Sequence, residues 1–385
     1  MDNFTYHNPV KIVFGRGSIG ELPGLLPAAA KVLVTYGGGS IQRNGVYDQV
    51  AEALGGREWV EFGGIEANPR YATCMKATEM AAAEGAEFLL AVGGGSVLDA
   101  TKFVAVALRY PEGRDPWEIM LTRDAVASAA PLGCVMTLPA TGSEMNGNAV
   151  ITRDDVPEKL FFSSAKVYPQ FSILDPSVTF SLPPRQTANG VIDTFVHVTE
   201  QYLTRPNNAP LQDRQAEAIL ATLVEEGPKA LERPDDYDVR ANLMWSATNA
   251  LNRQLSCGTV GDWSSHRIGH ELTALYGVDH GQSLAVVHPA VLKYLKDKKR
   301  DKLAQYARRI WRLDEADDDA LADAAIERTE SFFRSLGVAT RLGDYGIGPE
   351  AAALVARRLA GRTMKVCEQV DLAAEDVEAI LALAR

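Results

Sequence analysis

The chain has 385 residues, 39 Lys and Arg against 50 Asp and Glu, and a formal charge of −11. This balance argues against nucleic acid or an anionic membrane surface as a partner. The length predicts two domains, and 46% hydrophobic residues suit a soluble globular protein.

Four cysteines, Cys74, Cys134, Cys257 and Cys367, are scattered without a C-x-x-C pair. Neither a disulfide framework nor a cysteine zinc site is expected, and a reducing, cytoplasmic setting fits. The N-terminal MDNFTYHNPVKIVFG lacks the basic head and apolar core of a secretory signal. No apolar run approaches the roughly 18 residues of a membrane span.

The first half alternates β-rich runs with helical patterns. KVLVTY (31–36), REWVEF (57–62), EFLLAV (87–92) and LGCVMTL (132–138) read as strands, and 44–54, 70–85 and 97–109 have helical spacing. That alternation predicts a parallel sheet covered on both faces, a Rossmann-like α/β domain with ligand loops at its strand C-termini. After SLPPRQTANG (181–190) strand-like runs almost vanish, and 212–231, 239–255, 300–313 and 375–385 suit helices. A boundary near 182 divides an α/β domain, 1–182, from an all-α domain, 183–385.

Two glycine triplets directly follow strands, in VTYGGGS (34–40) and AVGGGSVLDATKF (91–103). Neither is G-x-G-x-x-G, but glycines let backbone approach a pyrophosphate and a helix N-terminus points free N–H groups at it. Ser96 reads as a helix cap, with Asp99 in the first turn. Between Thr35 and Asn44 no acid is present to meet a ribose 2′-hydroxyl, while Ser40 and Arg43 can meet a 2′-phosphate; the loop therefore favours NADP(H). A third loop, TLPATGSEMNGN (137–148), offers Thr137, Thr141, Ser143, Asn146 and Asn148 to a ribose or nicotinamide.

Six histidines occur. GVIDTFVHVTEQY sets Asp193 and His197 on one helical face, and SSHRIGHELTALYGVDHG carries His266, His270 and His280. Asp193, His197, His266 and His280 make an Asp–His₃ set suited to one divalent cation, Zn²⁺ or Fe²⁺. For a lone histidine a satisfied core role is the better reading; it is the combination that points to metal. His7 and His288 read as structural. Glu200 is either a partner of this set or a helix-surface charge, the latter being commoner.

These motifs resemble the iron-containing (group III) alcohol dehydrogenases, most closely their bacterial NADPH-dependent aldehyde reductase and butanol dehydrogenase-like branch. The resemblance runs from FTYHNPVKIVFGRGSI through FGGIEANP, TLPATGSE and LDPSVTFSLPPRQTANGVIDTFVHVTEQY to YDVRANLMWSATNAL and HRIGHELTALYGVDHG. It implies the dehydroquinate synthase-like architecture of a cofactor domain and a helical metal domain, with the active site between them, and a dimer.

Residue by residue, the resemblance implies Asp193, His197, His266 and His280 as ligands and His270 beside the nicotinamide. Gly38, Gly39, Ser40, Asn68, Gly94, Gly95, Ser96, Asp99, Thr137, Thr141, Asn146, Asn148, Lys159 and Thr179 fall at cofactor-side positions. Gly37–Gly39 stand where NAD-preferring members carry aspartate, which again favours NADP(H). Asp279 precedes His280 where many members have proline, which raises the question of what stiffens that loop.

The expected chemistry is reversible reduction of small to medium aldehydes by hydride transfer, with the metal polarising the carbonyl. His270 would relay a proton to the alkoxide, or hold a water or ribose hydroxyl. Trp263 would wall the substrate pocket or belong to the core. Two rivals are a dehydroquinate synthase-like cyclase or lyase and a non-catalytic nucleotide- or metal-binding protein. The first needs basic residues for a phosphorylated substrate, and only Arg267 lies near the ligands in sequence.

Overall fold

The computed structural model describes residues 1–122, 126–156, 158–314, 317–361, 366–368 and 372–385. The chain forms two compact units. One comprises His7–Leu182 with Pro234–Thr248; the other comprises Met1–Tyr6, Pro183–Arg233 and Asn249–Arg385.

The first unit holds eight strands among the described residues: β1 Lys11–Phe14, β2 Val32–Tyr36, β3 Trp59–Phe62, β4 Phe88–Gly94, β5 Leu132–Leu138, β6 Asn148–Arg153, β7 Glu158–Ser163 and β8 Phe171–Leu174. Its helices are α1 Ser40–Arg43, α2 Val46–Leu54, α3 Tyr71–Ala83, α4 Gly95–Ala107 and α5 Glu118–Thr122. Six strands make one parallel sheet in the order β1-β8-β5-β4-β2-β3, and β6–β7 form a separate antiparallel hairpin.

Strand alternation sends Leu33, Leu89 and Ala91 into one core with α3 and α4. Val32, Val34 and Leu90 enter a second core with α2 on the opposite face. The chain leaves β2 for β3 on one side and returns to β4 on the other. The loops after β2 and β4 flank this reversal, and that after β5 is the next neighbour, the usual place for a ligand on an open α/β sheet.

The four expected strands are present as β2 to β5. The edge pair β1 and β8 and the hairpin were not legible. β1 and β8 have only four residues each and exist through pairing with each other and with β5. The Pro234–Thr248 stretch joins this unit through contacts that sequence spacing does not encode. Met244 enters the sheet core, Trp245 packs edge-on to Phe14 at 5.9 Å, and Thr248 Oγ1 donates to Glu144 Oε1 at 2.7 Å.

The second unit has no strand among the described residues. Its helices are α6 Pro184–Tyr202, α7 Pro210–Glu232, α8 Tyr237–Ala250 (whose last two residues alone belong here), α9 Ser264–Tyr276, α10 His280–Tyr294, α11 Lys296–Arg309, α12 Asp318–Ser335, α13 Glu350–Ala360 and α14 Ala374–Leu383. Proline opens α6 and α7 at a position where its missing N–H costs nothing. α6 is buried almost all round from Thr187 to Tyr202, the signature of a helix at the centre of a bundle. No helix is long and apolar enough to cross a membrane among the described residues.

Within β5, a side chain at Gly133 would meet the Phe171 ring at 2.5 Å, and Phe171 itself stacks on Phe88 at 5.8 Å. Gly133→Val is expected to cost about 1–3 kcal/mol by overpacking, read as a lower denaturation midpoint of the first unit. An unchanged midpoint would contradict this packing.

Candidate active site

α6 presents Asp193 and His197 one turn apart, α9 carries His266 and His270, and His280 is the first residue of α10. His197 Nδ1 at 3.4 Å, His266 Nε2 at 3.6 Å and His280 Nε2 at 3.6 Å surround a single atom, Asp193 Oδ1. Candidate ligand atoms of Asp193, His266 and His280 all lie within 4.8 Å of one another. His197 stacks on His266 with ring centroids 4.4 Å apart.

Asp193 and His266 are only 4% and 7% exposed, yet Asp193 Oδ1 and His266 Nε2 have no hydrogen-bond partner among the described residues. Unpaired buried polar atoms of this kind are costly. Side-chain atoms about 2.1 Å from a tetrahedral ion stand about 3.4 Å apart, close to the 3.4–3.6 Å from Asp193 Oδ1 to the three imidazole nitrogens. The residues therefore fit one divalent cation, and nitrogen with carboxylate donors suits zinc or iron(II).

Burial by itself would raise the Asp193 carboxyl, but His197, His280 and His266 outweigh it and hold it well below the usual carboxylate range. Burial would likewise lower His266, but Glu200 and Asp193 reverse this and push the ring up to about 9. A cation binding at Nε2 displaces that proton.

Glu200 is not a surface charge. It is 3% exposed, accepts the Ser265 backbone N–H at 2.5 Å and is hydrogen-bonded to His266 Nδ1. Its signal in the sequence was an acid one turn beyond His197 inside an apolar helix. His288 is a buried core histidine held by Ser265 Oγ at 2.9 Å and Thr199 Oγ1 at 3.0 Å. Burial, with help from His266 and Lys299, lowers it to about 3, so it is neutral at physiological pH.

His270 is half-buried and stands beside the cluster, its ring centroid 5.0 Å from His280 and 6.2 Å from His266. Trp263 is also half-buried, with its ring 5.5 Å from His266 and 6.2 Å from His197. Asp279 supplies the stiffness that proline gives elsewhere. Its backbone N–H donates to Gln282 Oε1 at 3.3 Å and its carboxylate accepts the Asn189 side-chain amide at 2.9 Å. Gly281 lets α10 approach α6 closely, since a side chain there would meet the Asn189 carbonyl at 2.6 Å.

In the first unit the predicted cofactor residues divide into three groups. Gly38 is exposed on the β2–α1 loop and Ser40 and Arg43 are exposed on α1, which follows Gly39 with its left-handed φ of 84°. Asn68, Ser96 and Lys159 come together: Ser96 Oγ accepts the Asn68 N–H at 3.3 Å and Lys159 donates to Asn68 Oδ1 at 2.9 Å. Ser96 is thus not the helix cap expected; α4 starts from Gly94 without a side-chain cap. Gly95 lies against Thr141, whose Oγ1 would be 2.4 Å from an added side chain.

Other predicted residues brace the loops. Asp99 accepts Ser143 Oγ at 2.7 Å and the Val150 N–H at 3.0 Å, and burial raises its carboxyl. Asn146 donates to Gly142 O at 2.9 Å and accepts the Asn148 N–H at 2.9 Å. Thr179 is buried and donates to Pro176 O at 2.6 Å. Thr137 is buried at the end of β5.

Lys102 was missed by sequence reasoning. It is fully buried, and its Nζ donates to Ser143 O and Oγ at 2.7 Å each and to Asn148 O at 2.8 Å. A lysine three residues after Asp99 in a helix was the only available sign.

Two family models cover the chain: iron-containing alcohol dehydrogenase over residues 9–176, and the C-terminal part of the Fe-containing alcohol dehydrogenase family over residues 187–385. The chain belongs to the iron-containing alcohol dehydrogenase family. Among its relatives is the NADPH-dependent aldehyde reductase YqhD of Escherichia coli, 53% identical over 93% of each chain. A crystal structure of E. coli YqhD matches with a TM-score of 0.98, covering 100% of this chain and 99% of that one at 51% identity. That of NADH-dependent butanol dehydrogenase A from Thermotoga maritima matches at 0.96, with 39% identity and the same coverage. Membership in the iron-containing alcohol dehydrogenases sets the cyclase alternative aside. The names of these relatives span both nicotinamide cofactors, so the family alone does not choose between them.

In this dehydrogenase, Gly281→Ala is expected to push α10 off α6 and carry His280 away from Asp193. Zinc affinity, measured by chelator competition, should fall about tenfold or more. Wild-type affinity in the variant would contradict the close approach as the device that places His280.

Proposed function

We propose that the chain is a metal-dependent, NADP(H)-dependent reductase of small to medium aldehydes, acting in reverse as an alcohol dehydrogenase. The observation that carries this reading is the convergence of three imidazoles on one buried carboxylate oxygen, within 3.4 to 3.6 Å. When bound, a divalent cation supplies a Lewis acid for the carbonyl oxygen and NADPH supplies the hydride.

Asp193, His197, His266 and His280 are assigned to hold the cation. One carboxylate among three neutral rings leaves net positive charge at the site, which favours an oxygen becoming alkoxide. His270, 5.0 Å from the His280 ring, is assigned to pass a proton to that oxygen. The apolar flanks of α6 keep bulk water from the carboxylate, strengthening every charge interaction there.

NADP(H) is favoured over NAD(H) by the β2–α1 loop, where glycines replace the acid that would repel a 2′-phosphate, and by the exposed Ser40 and Arg43 of α1. The YqhD relative is named for NADPH and the Thermotoga relative for NADH, so this loop is the feature that bears on the choice. Asn68, Ser96, Lys159, Gly94, Gly95 and Thr141 are assigned to the cofactor phosphates and ribose, and Asp99, Asn146, Asn148, Thr137 and Thr179 to the loops that present them. Buried cysteines that form no disulfide among the described residues support a cytoplasmic enzyme. The family likeness supports a homodimer.

Purified protein should oxidise NADPH steadily with butanal and do so poorly with NADH. Chelation should abolish turnover, and Zn²⁺ or Fe²⁺ should restore it. Arg43→Ala should reduce the preference for NADPH. Equal rates with both cofactors would overturn the nucleotide assignment, and turnover surviving complete metal removal would overturn the mechanism.

A further inference from the structure

Helix α9 has a local acceptor for its first N–H, that of Ser264, in Asp262 Oδ1 at 3.2 Å. The residue before it, Trp263, adopts a left-handed φ of 66° and contributes no side-chain hydrogen bond. The first-turn N–H groups of Ser265 and His266 are buried, and such groups need acceptors. The acceptor comes from α6. Glu200 takes the Ser265 N–H at 2.5 Å on Oε1 and the His266 N–H at 3.3 Å on Oε2. The same Oε2 is hydrogen-bonded to His266 Nδ1. The Glu200 backbone carbonyl also accepts the Asp262 N–H at 2.8 Å, fixing the segment that leads into α9.

One carboxylate therefore ties down the start of α9 and the ring of its first histidine together. A carboxylate has no proton to give when ionised, so the bond to His266 makes Nδ1 the donor. The lone pair then resides on Nε2, the atom that stands 3.6 Å from Asp193 Oδ1 and has no hydrogen-bond partner. Ring orientation is doubly fixed, because the backbone N–H of His266 and its side chain bond to the same oxygen.

We infer that Glu200 is a positioning residue for the metal: it holds His266 as the Nδ1–H tautomer, aims Nε2 at the cation and sets how tightly the site retains it. This rests on the proposed metal reading of Asp193, His197, His266 and His280. The bland alternative is that Glu200 only caps α9. The two differ in what they move. A cap affects the stability of the metal-free protein; a tautomer lock affects metal affinity and the ligand field.

The test compares wild type with Glu200→Gln, which keeps size and removes the charge. A glutamine cannot offer acceptors to Ser265 and His266 Nδ1 at once. Zinc affinity by chelator competition should fall about 10–100-fold, the scale on which such supporting partners act. The visible spectrum of the cobalt-loaded protein should shift. Unchanged affinity and spectrum, with only a lower melting temperature of the metal-free protein, would leave Glu200 a helix cap and overturn the inference.

A second measurement does not depend on the variant folding. Nitrogen-15 spectra of histidine-labelled, zinc-loaded wild type should show the His266 proton on Nδ1, and a proton on Nε2 would overturn the inference. Wild type that binds no zinc would instead overturn the metal reading beneath it.

Discussion

The second unit is organised around one oxygen atom. Asp193 Oδ1 is buried in α6, and imidazoles from α6, α9 and α10 come within 3.6 Å of it without hydrogen-bonding to it. Such an arrangement is unfavourable as plain core and favourable around a cation. Much of the surrounding structure answers to that constraint. Gly281 allows α10 to approach α6, Asp279 bonds to both Gln282 and Asn189, and Glu200 anchors the start of α9. Three helices thus converge on the proposed ion site.

The first unit solves a different problem, that of presenting backbone to an anionic cofactor. Parallel strands β5, β4 and β2 lie side by side, so the three glycine-bearing loops that follow them share one edge of the sheet. The loops are stiffened from behind. Lys102 and Asp99 on α4 bond to Ser143, and Lys102 also reaches the carbonyl of Asn148. A fully buried lysine is tolerable because oxygen acceptors surround it. Gly38, Ser40 and Arg43 stay exposed, as the proposed nucleotide contact requires.

Fold class and the histidine cluster were legible because both depend on local spacing. Alternating strands and helices define the α/β unit, and Asp193 with His197 or His266 with His270 are visible as single-helix pairs. The remainder depended on contacts distant in sequence. β1 and β8 are too short to be recognised without their partners. Pro234–Thr248 joins the sheet unit through Met244, Trp245 and Thr248 despite its helical surroundings in sequence. The sequence leaves Glu200 between a partner of the metal set and a helix-surface charge, and only the packing of α9 over it decides. Ser96 looked like a cap, but its hydroxyl is used by Asn68, 28 residues earlier.

X-ray absorption at the metal edge of the zinc-loaded protein tests the central claim most directly, with Asp193→Asn and His266→Gln measured alongside. The account predicts one zinc per chain bound by three imidazoles and one carboxylate oxygen, with one imidazole lost in His266→Gln. A sulfur ligand, fewer than three imidazoles in wild type, or a spectrum unmoved by either substitution would contradict it.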